Sequence, residues 1–273
     1  MSILFDCHLH TEFSGDSKAS VESQIQAARA KGLSGITITD HLDWDFYVSP
    51  GYFDLDLPSY TSALKEIKRK YPFGSSFSVL CGLELGLQEH LADRHKKLLD
   101  EYEFDFVIGS IHQLDGLDPY YPDYYVDKTA EYVYRRTFDV TLDNLKAFCD
   151  IDALGHLDYM RRYVIREFGS SGMYTYKDYS DQIDAILQFI IRHDIALEIN
   201  EGAFRCDLTE PNPQYDVISR YYDIGGRLIT IGADAHTPEH VGLRFDEIDE
   251  RLKNIGFKEY AVYKNRKPLF YPL

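Results

Sequence analysis

Histidine, aspartate and glutamate recur along this 273-residue chain in an arrangement that suits metal ions. The first instance is D-C-H-L-H at residues 6–10. In an extended strand alternate side chains share a face, so Asp6, His8 and His10 point one way and Cys7 and Leu9 the other. Two imidazoles so spaced can close on one cation, although H-x-H alone is a common pattern. The same residue types return beside other apolar runs. His41 follows GITITD, Glu84 lies near the end of SVLCGLELG, His112 ends FDFVIGSIH, His156 ends DALGH, and Asp234 and His236 end LITIGADAH. Packing does not require such side chains there, and a buried carboxylate or imidazole without a partner is costly. Gathered at one place, they would repel or compete for protons unless cations held them, which predicts a multi-metal site. The alternative is a set of separately hydrogen-bonded histidines and surface acids. His90, His95 and His193 fall in helical segments and read as surface or helix-flank residues. His240 follows His236 by four, but the intervening Thr237 and Pro238 signal a helix only beginning there, which leaves His240 outside the set.

The elements that must carry these residues follow from periodicity. Seven short apolar, β-branched runs (3–9, 35–40, 78–86, 104–112, 152–156, 196–200 and 228–236) read as strands. Helical stretches are expected between and after them, at 21–31, 60–71, 91–102, 127–149, 179–194, 214–224 and 246–255. Ser20 is a plausible N-cap for the first helix and Gly32 its C-terminal stop. Seven such βα repeats imply helices packed around a parallel sheet. No internal repeat or Pro/Gly/Ser linker divides residues 1–273, so a single domain is expected. Long insertions rich in Tyr, Phe, Asp and Arg follow the second, fourth and fifth runs, at 42–58, 113–126 and 161–178. In a βα array they lie beyond the C-terminal strand ends, where such folds place their sites.

Composition narrows the function. Apolar residues make up 44% and charged residues 27%, as in a globular protein, and the net charge is −16. Such acidity disfavours a nucleic-acid-binding surface, which needs clustered Lys and Arg. It leaves a phosphorylated substrate open, because bound cations and a few arginines can reverse the local sign. Cys7, Cys81, Cys149 and Cys206 form no C-x-x-C pair and read as buried thiols in a reducing compartment. With no basic leader and no long apolar run, a cytoplasmic protein without membrane partners is expected. Oligomeric state is not legible.

The motifs D-C-H-L-H-T (6–11), T-D-H (39–41), G-L-E (82–84), S-I-H (110–112), G-H-L-D (155–158) and G-A-D-A-H (232–236) resemble, in order and rough spacing, those of the PHP (polymerase and histidinol phosphatase) family. That resemblance implies a distorted, TIM-like (β/α)7 barrel with a trinuclear centre of Zn²⁺, Fe²⁺ or Mn²⁺. Carried over motif by motif, one metal takes His8, His10, Glu84 and Asp234. A second shares Glu84 with His112 and His156, and a third takes His41, His236 and Asp16. Asp16 stands in F-S-G-D-S, where many relatives have His. It reads alternatively as a turn residue.

Length, Asp16, the aromatic loop after T-D-H and the tail A-V-Y-K-N-R-K-P (261–268) look most like the histidinol-phosphate phosphatases within that family. This implies hydrolysis of L-histidinol phosphate in histidine biosynthesis by metal-activated hydroxide attack on phosphorus. Arg162 and Arg205, each shortly beyond a run end, are then the expected phosphate ligands, since guanidinium forks suit phosphate oxygens. Arg161 is the rival to Arg162. Asp234, His236 and a metal-bound water are the candidates to protonate the leaving alkoxide. The acidic, aromatic insertions would cup the substrate's ammonium and imidazole. Other PHP phosphoesterases (phosphodiesterase, nuclease, phosphotyrosine phosphatase), a metal-dependent amidohydrolase and a non-catalytic metal-binding protein are the alternatives.

Overall fold

The computed structural model describes residues 2–47 and 49–273. In chain order the first strands are β1 (Phe5–Leu9), β2 (Gly35–Ile38), a two-residue β3 (His41–Leu42), β4 (Ser78–Gly86) and β5 (Phe106–Ser110). The sheet continues with β6 (Ala153–Leu154), β7 (Ala196–Asn200) and β8 (Ile229–Gly232). All pair in parallel in the order β1-β2-β4-β5-β6-β7-β8, with β3 resuming the line of β2 against β4. The seven expected runs are therefore the seven staves; 78–86 and 196–200 match their strands end to end, and the other five are trimmed. They are buried on both faces, as helix-covered parallel strands must be. The barrel nearly closes where Asp234 N–H donates to His8 O (2.8 Å) and His10 N–H to Ala235 O (2.9 Å). The staves approach so closely that a Cβ on Gly232 would lie 2.3 Å from that of His8. Asp6 ties this seam, accepting from the amides of Ala233 (2.9 Å) and Gly242 (2.8 Å).

Around the sheet lie α1 (Val21–Ala30), α2 (Leu57–Lys70), α3 (Ala92–Glu101), α4 (Ala130–Ala147), α5 (Arg161–Phe168), α6 (Ser180–Arg192), α7 (Tyr215–Asp223) and α8 (Phe245–Ile255). The local signals act as expected. Ser20 caps α1 by accepting from Ser23 N–H, and Gly32 takes φ +78° just past its end. Helix α6 buries Ile183, Ile186, Leu187 and Ile190, one stripe at helical spacing.

Two elements depart from expectation. The insertion at 161–178 contains the helix α5. The chain also ends in an antiparallel hairpin, β9 (Glu259–Lys264) and β10 (Lys267–Pro272). Its turn places Asn265 and Arg266 at positive φ, 49° and 61°, as a two-residue hairpin turn requires. Long-range bonds hold that turn without glycine. Arg266 Nε reaches Asp152 Oδ2 (2.5 Å), and the amides of Asn265 and Arg266 donate to Asp105. Among the described residues no helix is long and apolar enough to cross a membrane.

The reading of the cysteines as buried holds only for Cys7 and Cys81. Cys149 is half-buried and Cys206 exposed, and all four thiols are free. His95 is likewise no surface residue. It lies on the buried side of α3 with Leu98, stacked on Trp44 (5.5 Å between ring centroids), with Phe148 close by. Neither ring nitrogen has a partner, and burial pushes its pKa from 6.5 down to about 4. Below about pH 6.5 the unfolded chain binds a proton here that the folded chain refuses until about pH 4. Stability is therefore lost as pH falls through that window, by up to about 3 kcal/mol. In urea unfolding across a pH series, His95→Phe should flatten the acid limb between pH 6.5 and 4. An unchanged slope would contradict a neutral, buried His95.

Candidate metal centre

The C-terminal strand ends converge on one carboxylate, Glu84 of β4, which is fully buried. Its Oε2 lies 3.2 Å from His8 Nε2, 3.5 Å from His10 Nε2 and 2.9 Å from His41 Nδ1. Its Oε1 lies 3.3 Å from His112 Nε2, 3.0 Å from His156 Nε2 and 2.6 Å from the Ser110 hydroxyl, which donates to it. Asp234 Oδ1 stands 3.3 Å from His10 Nε2, and Asp16 Oδ2 3.0 Å from His236 Nε2 and 3.7 Å from His41 Nε2. All nine residues expected from the sequence as ligands thus gather at one mouth. Asp16, the one departing from the family pattern, faces His41 and His236.

The donor chemistry fits divalent cations. Four sets, His8/His10/Glu84, Glu84/His112/His156, His10/His41/His236 and His41/Asp43/His112, each bring ligand atoms within 4.8 Å of one another. His8 and His10 aim their Nε2 atoms at each other across 3.1 Å, which two neutral lone pairs do not favour. Glu84 Oε2 and His41 Nδ1, though 2.9 Å apart, are not aligned for a hydrogen bond, and they and Asp43 Oδ2 are buried with none. Mixed imidazole and carboxylate sets suit Zn²⁺, Mn²⁺ and Fe²⁺.

Electrostatics carries the same message. Burial alone would neutralise Glu84, yet His8, His41 and His112 outweigh it and hold the carboxyl well below the carboxylate range. Burial likewise opposes charge on Asp234, and Arg205, His10 and His8 overcome it. Burial opposes a proton on His41, but Glu84 and Asp16 raise its pKa to about 9. His10 goes the other way, pushed well down by burial and by His236 and His41. The carboxylates at this mouth require positive charge beside them.

A second set of residues, not anticipated from the sequence, orients the first. Glu198 of β7 bonds His8 Nδ1 through Oε1 (2.5 Å) and accepts His156 N–H on Oε2 (2.7 Å). Asp43 bonds His112 Nδ1 at 2.7 Å, which turns Nε2 of that ring towards Glu84. Only glycine fits opposite, since a Cβ on Gly86 would lie 2.0 Å from Asp43 Oδ1. Asp40 accepts from Thr11 N–H and from the hydroxyls of Thr11 and Ser14, bracing the turn after His10. Such partners fix ring orientation and raise ligand basicity. The available signal was an acid inside an apolar run, as in A-L-E-I-N. Asp234 itself sits at φ +53°, a left-handed corner that aspartate tolerates.

Above the cluster opens a cavity of about 750 Å³. All three insertions line it, through Phe46, Tyr52 and Phe53, through Asp118 and Tyr120, and through Arg162 and Tyr163. Val48 of the first insertion lies outside the described residues. Arg162 packs over the Tyr159 ring at 4.3 Å, its Nε and Nη2 buried without partners. Arg205 Nη1 donates to the Asp234 carbonyl, and its Nη2 lies 3.3 Å from Asp234 Oδ2. Arg161 is not in this wall and bonds instead to Glu210, Pro211 and Gln214. His240 lines the cavity from a short 3-10 turn, Pro238–His240, and joins none of the four sets. His90 pairs with Asp45, and His193 stacks on Phe189, both outside the mouth.

The chain is 36% identical over 260 residues to a probable histidinol-phosphatase of Clostridium acetobutylicum, covering 94% of this chain and 95% of that protein. It is 30% identical over 269 residues to a histidinol-phosphatase of Lactococcus lactis, covering 96% and 95%. It superimposes with a TM-score of 0.87 and 28% identity on the crystal structure of the Lactococcus lactis histidinol phosphate phosphatase complexed with zinc, L-histidinol and phosphate, covering 98% of this chain and 99% of that one. The family model of the PHP domain matches residues 6–202. The strand-end cluster, the nearly closed parallel barrel and this match over most of the sequence place the chain in the PHP domain family.

Proposed function

We propose that this chain is a metal-dependent phosphomonoester hydrolase that converts L-histidinol phosphate and water to L-histidinol and phosphate, as a step of histidine biosynthesis in the cytoplasm. One observation carries the reading: buried guanidinium donors of Arg162 without partners share a cavity with six of the nine metal-type ligands, Asp16, His41, His112, His156, Asp234 and His236, and the other three lie directly beneath. The names of the relatives supply the substrate.

His8, His10, Glu84 and Asp234 would hold one divalent ion, Glu84, His112 and His156 a second, and Asp16, His41 and His236 a third. Such ions supply charge neutralisation for phosphoryl oxygens and lower the pKa of water towards about 7. The remaining work falls to side chains of the wall. Arg162 and Arg205 grip the phosphoryl oxygens, because planar N–H forks match them. Asp118, whose carboxyl burial raises above the usual range, gains from a cationic neighbour and so suits the ammonium of the substrate. The aromatic rim from Phe46, Phe53 and Tyr120 offers faces for the imidazole. The 273 residues act as one unit, since the ligands come from both ends of the chain.

The test is a comparison of histidinol phosphate, p-nitrophenyl phosphate and a phosphodiester analogue. Histidinol phosphate should be the best substrate and the diester the worst. Preference for the diester would overturn the reading. Arg205→Ala should lower kcat/KM for both monoesters by about 10²-fold. Asp118→Asn should reduce turnover of histidinol phosphate alone, because p-nitrophenyl phosphate carries no ammonium. Equal losses on both would contradict this division of labour. Glu198→Gln should weaken metal retention by roughly 10–100-fold, read by titration with a competing chelator, and unchanged retention would remove Glu198 from the support of His8.

A further inference from the structure

Two adjacent arginines at the start of α5 have opposite surroundings. Arg162 faces the cavity, whereas Arg161 is buried and turned away from it. Arg161 Nη2 donates to the carbonyl oxygens of Glu210 (2.7 Å) and Pro211 (3.0 Å), and Nη1 to Gln214 Oε1 (3.2 Å). Nη1 also reaches Asp158 Oδ2 at 3.5 Å. Asp158, 1% exposed, accepts from the Tyr174 hydroxyl (2.8 Å), from Gln214 N–H (3.2 Å) and from the side-chain amide of Asn212.

These bonds join two separate parts of the mouth. Asp158 and Arg161 belong to the corner after β6 that presents Arg162. Their partners at 210–214 end the connection from β7 to α7, and Arg205 lies on that connection. Its other end is fixed as well, because Asn212 and Asn200, the last residue of β7, exchange two backbone hydrogen bonds of 2.9 Å each. The arc bearing Arg205 is thus anchored on both sides, with one anchor being the ion pair that flanks Arg162. A buried ion pair is weak evidence for stability, since apolar replacements often serve as well, and setting register is its best-attested use.

We infer that Asp158 and Arg161 are positioning residues that fix the spacing between Arg162 and Arg205, and hence the bite of the phosphate clamp. This rests on the phosphomonoesterase reading above. Each arginine alone can meet phosphate. Both meet one phosphoryl group only if the two loops keep their separation, and an error of a fraction of an ångström at a charged fork costs affinity steeply.

The test uses the full chain loaded with metal and measures orthophosphate binding by calorimetry, with metal content determined alongside. Arg161→Gln should weaken orthophosphate about tenfold with metal content unchanged. Placed in an Arg205→Ala background, the same change should cost less than about twofold, because one arm of the clamp is already gone. Tyr174→Phe removes a single bond to Asp158 and should shift orthophosphate affinity the same way by a smaller factor, which keeps the test open if Arg161→Gln folds poorly. An equal loss in both backgrounds, or either variant losing thermal stability with orthophosphate affinity intact, would overturn the inference. If Arg205→Ala and Arg162→Ala themselves leave orthophosphate binding untouched, the clamp is refuted together with its positioning.

Discussion

Everything at the mouth of this barrel follows from the surroundings of one carboxylate. Glu84 is fully buried and meets five imidazoles, those of His8, His10, His41, His112 and His156, within 3.5 Å. Burial would drive it neutral, and the positive charge around it drives it the other way. An acid in that position is stable only with cations, whether protons on the rings or divalent metals between them. The need for a fixed central acid explains the fold around it. Glu84 lies on the longest strand of the sheet, β4, which is paired on both sides, and each imidazole stands at or just beyond the end of another stave.

The two ends of the barrel have divided tasks. At the N-terminal end, Asp105 takes Lys68 and the hairpin turn, and Asp152 takes Arg266, so acids there are met by basic side chains and amides of the chain itself. At the C-terminal end the acids face mainly histidines. Basic side chains of the wall reach them sparingly, with Arg205 against Asp234 the closest approach. Conventional ion pairs secure the N-terminal end, whereas the cavity at the other end is lined by ligand atoms and by the unpartnered donors of Arg162. That asymmetry is the one expected of βα barrels, whose sites lie at the C-terminal strand ends.

Much of this was legible in the sequence, for a physical reason. His41, His112, His156, Asp234 and His236 stand where a strand ends, a place where packing has no use for them, so residue type and position together betray them. Period gave the staves and most helices because their cores are built from local repeats of Ile, Val and Leu. The supports were hidden. Glu198 acts on His8, 190 residues away, and Asp43 on His112, 69 residues away, and a single acid in an apolar run does not name its partner. His95 deceived because a helix flank and a buried helix face differ only by rotation. What buries it is Trp44, which lies in an insertion. The C-terminal hairpin was missed because its turn lacks the glycine that marks such turns, and distant Asp105 and Asp152 hold it instead.

The most direct measurement is the metal content of the purified chain against its turnover of histidinol phosphate, before and after a strong chelator and again on adding Zn²⁺, Mn²⁺ or Fe²⁺. The account predicts about three divalent ions per chain at full activity, loss of turnover in step with their removal, and recovery on their return. A metal-free protein that hydrolyses the phosphomonoester undiminished would contradict it.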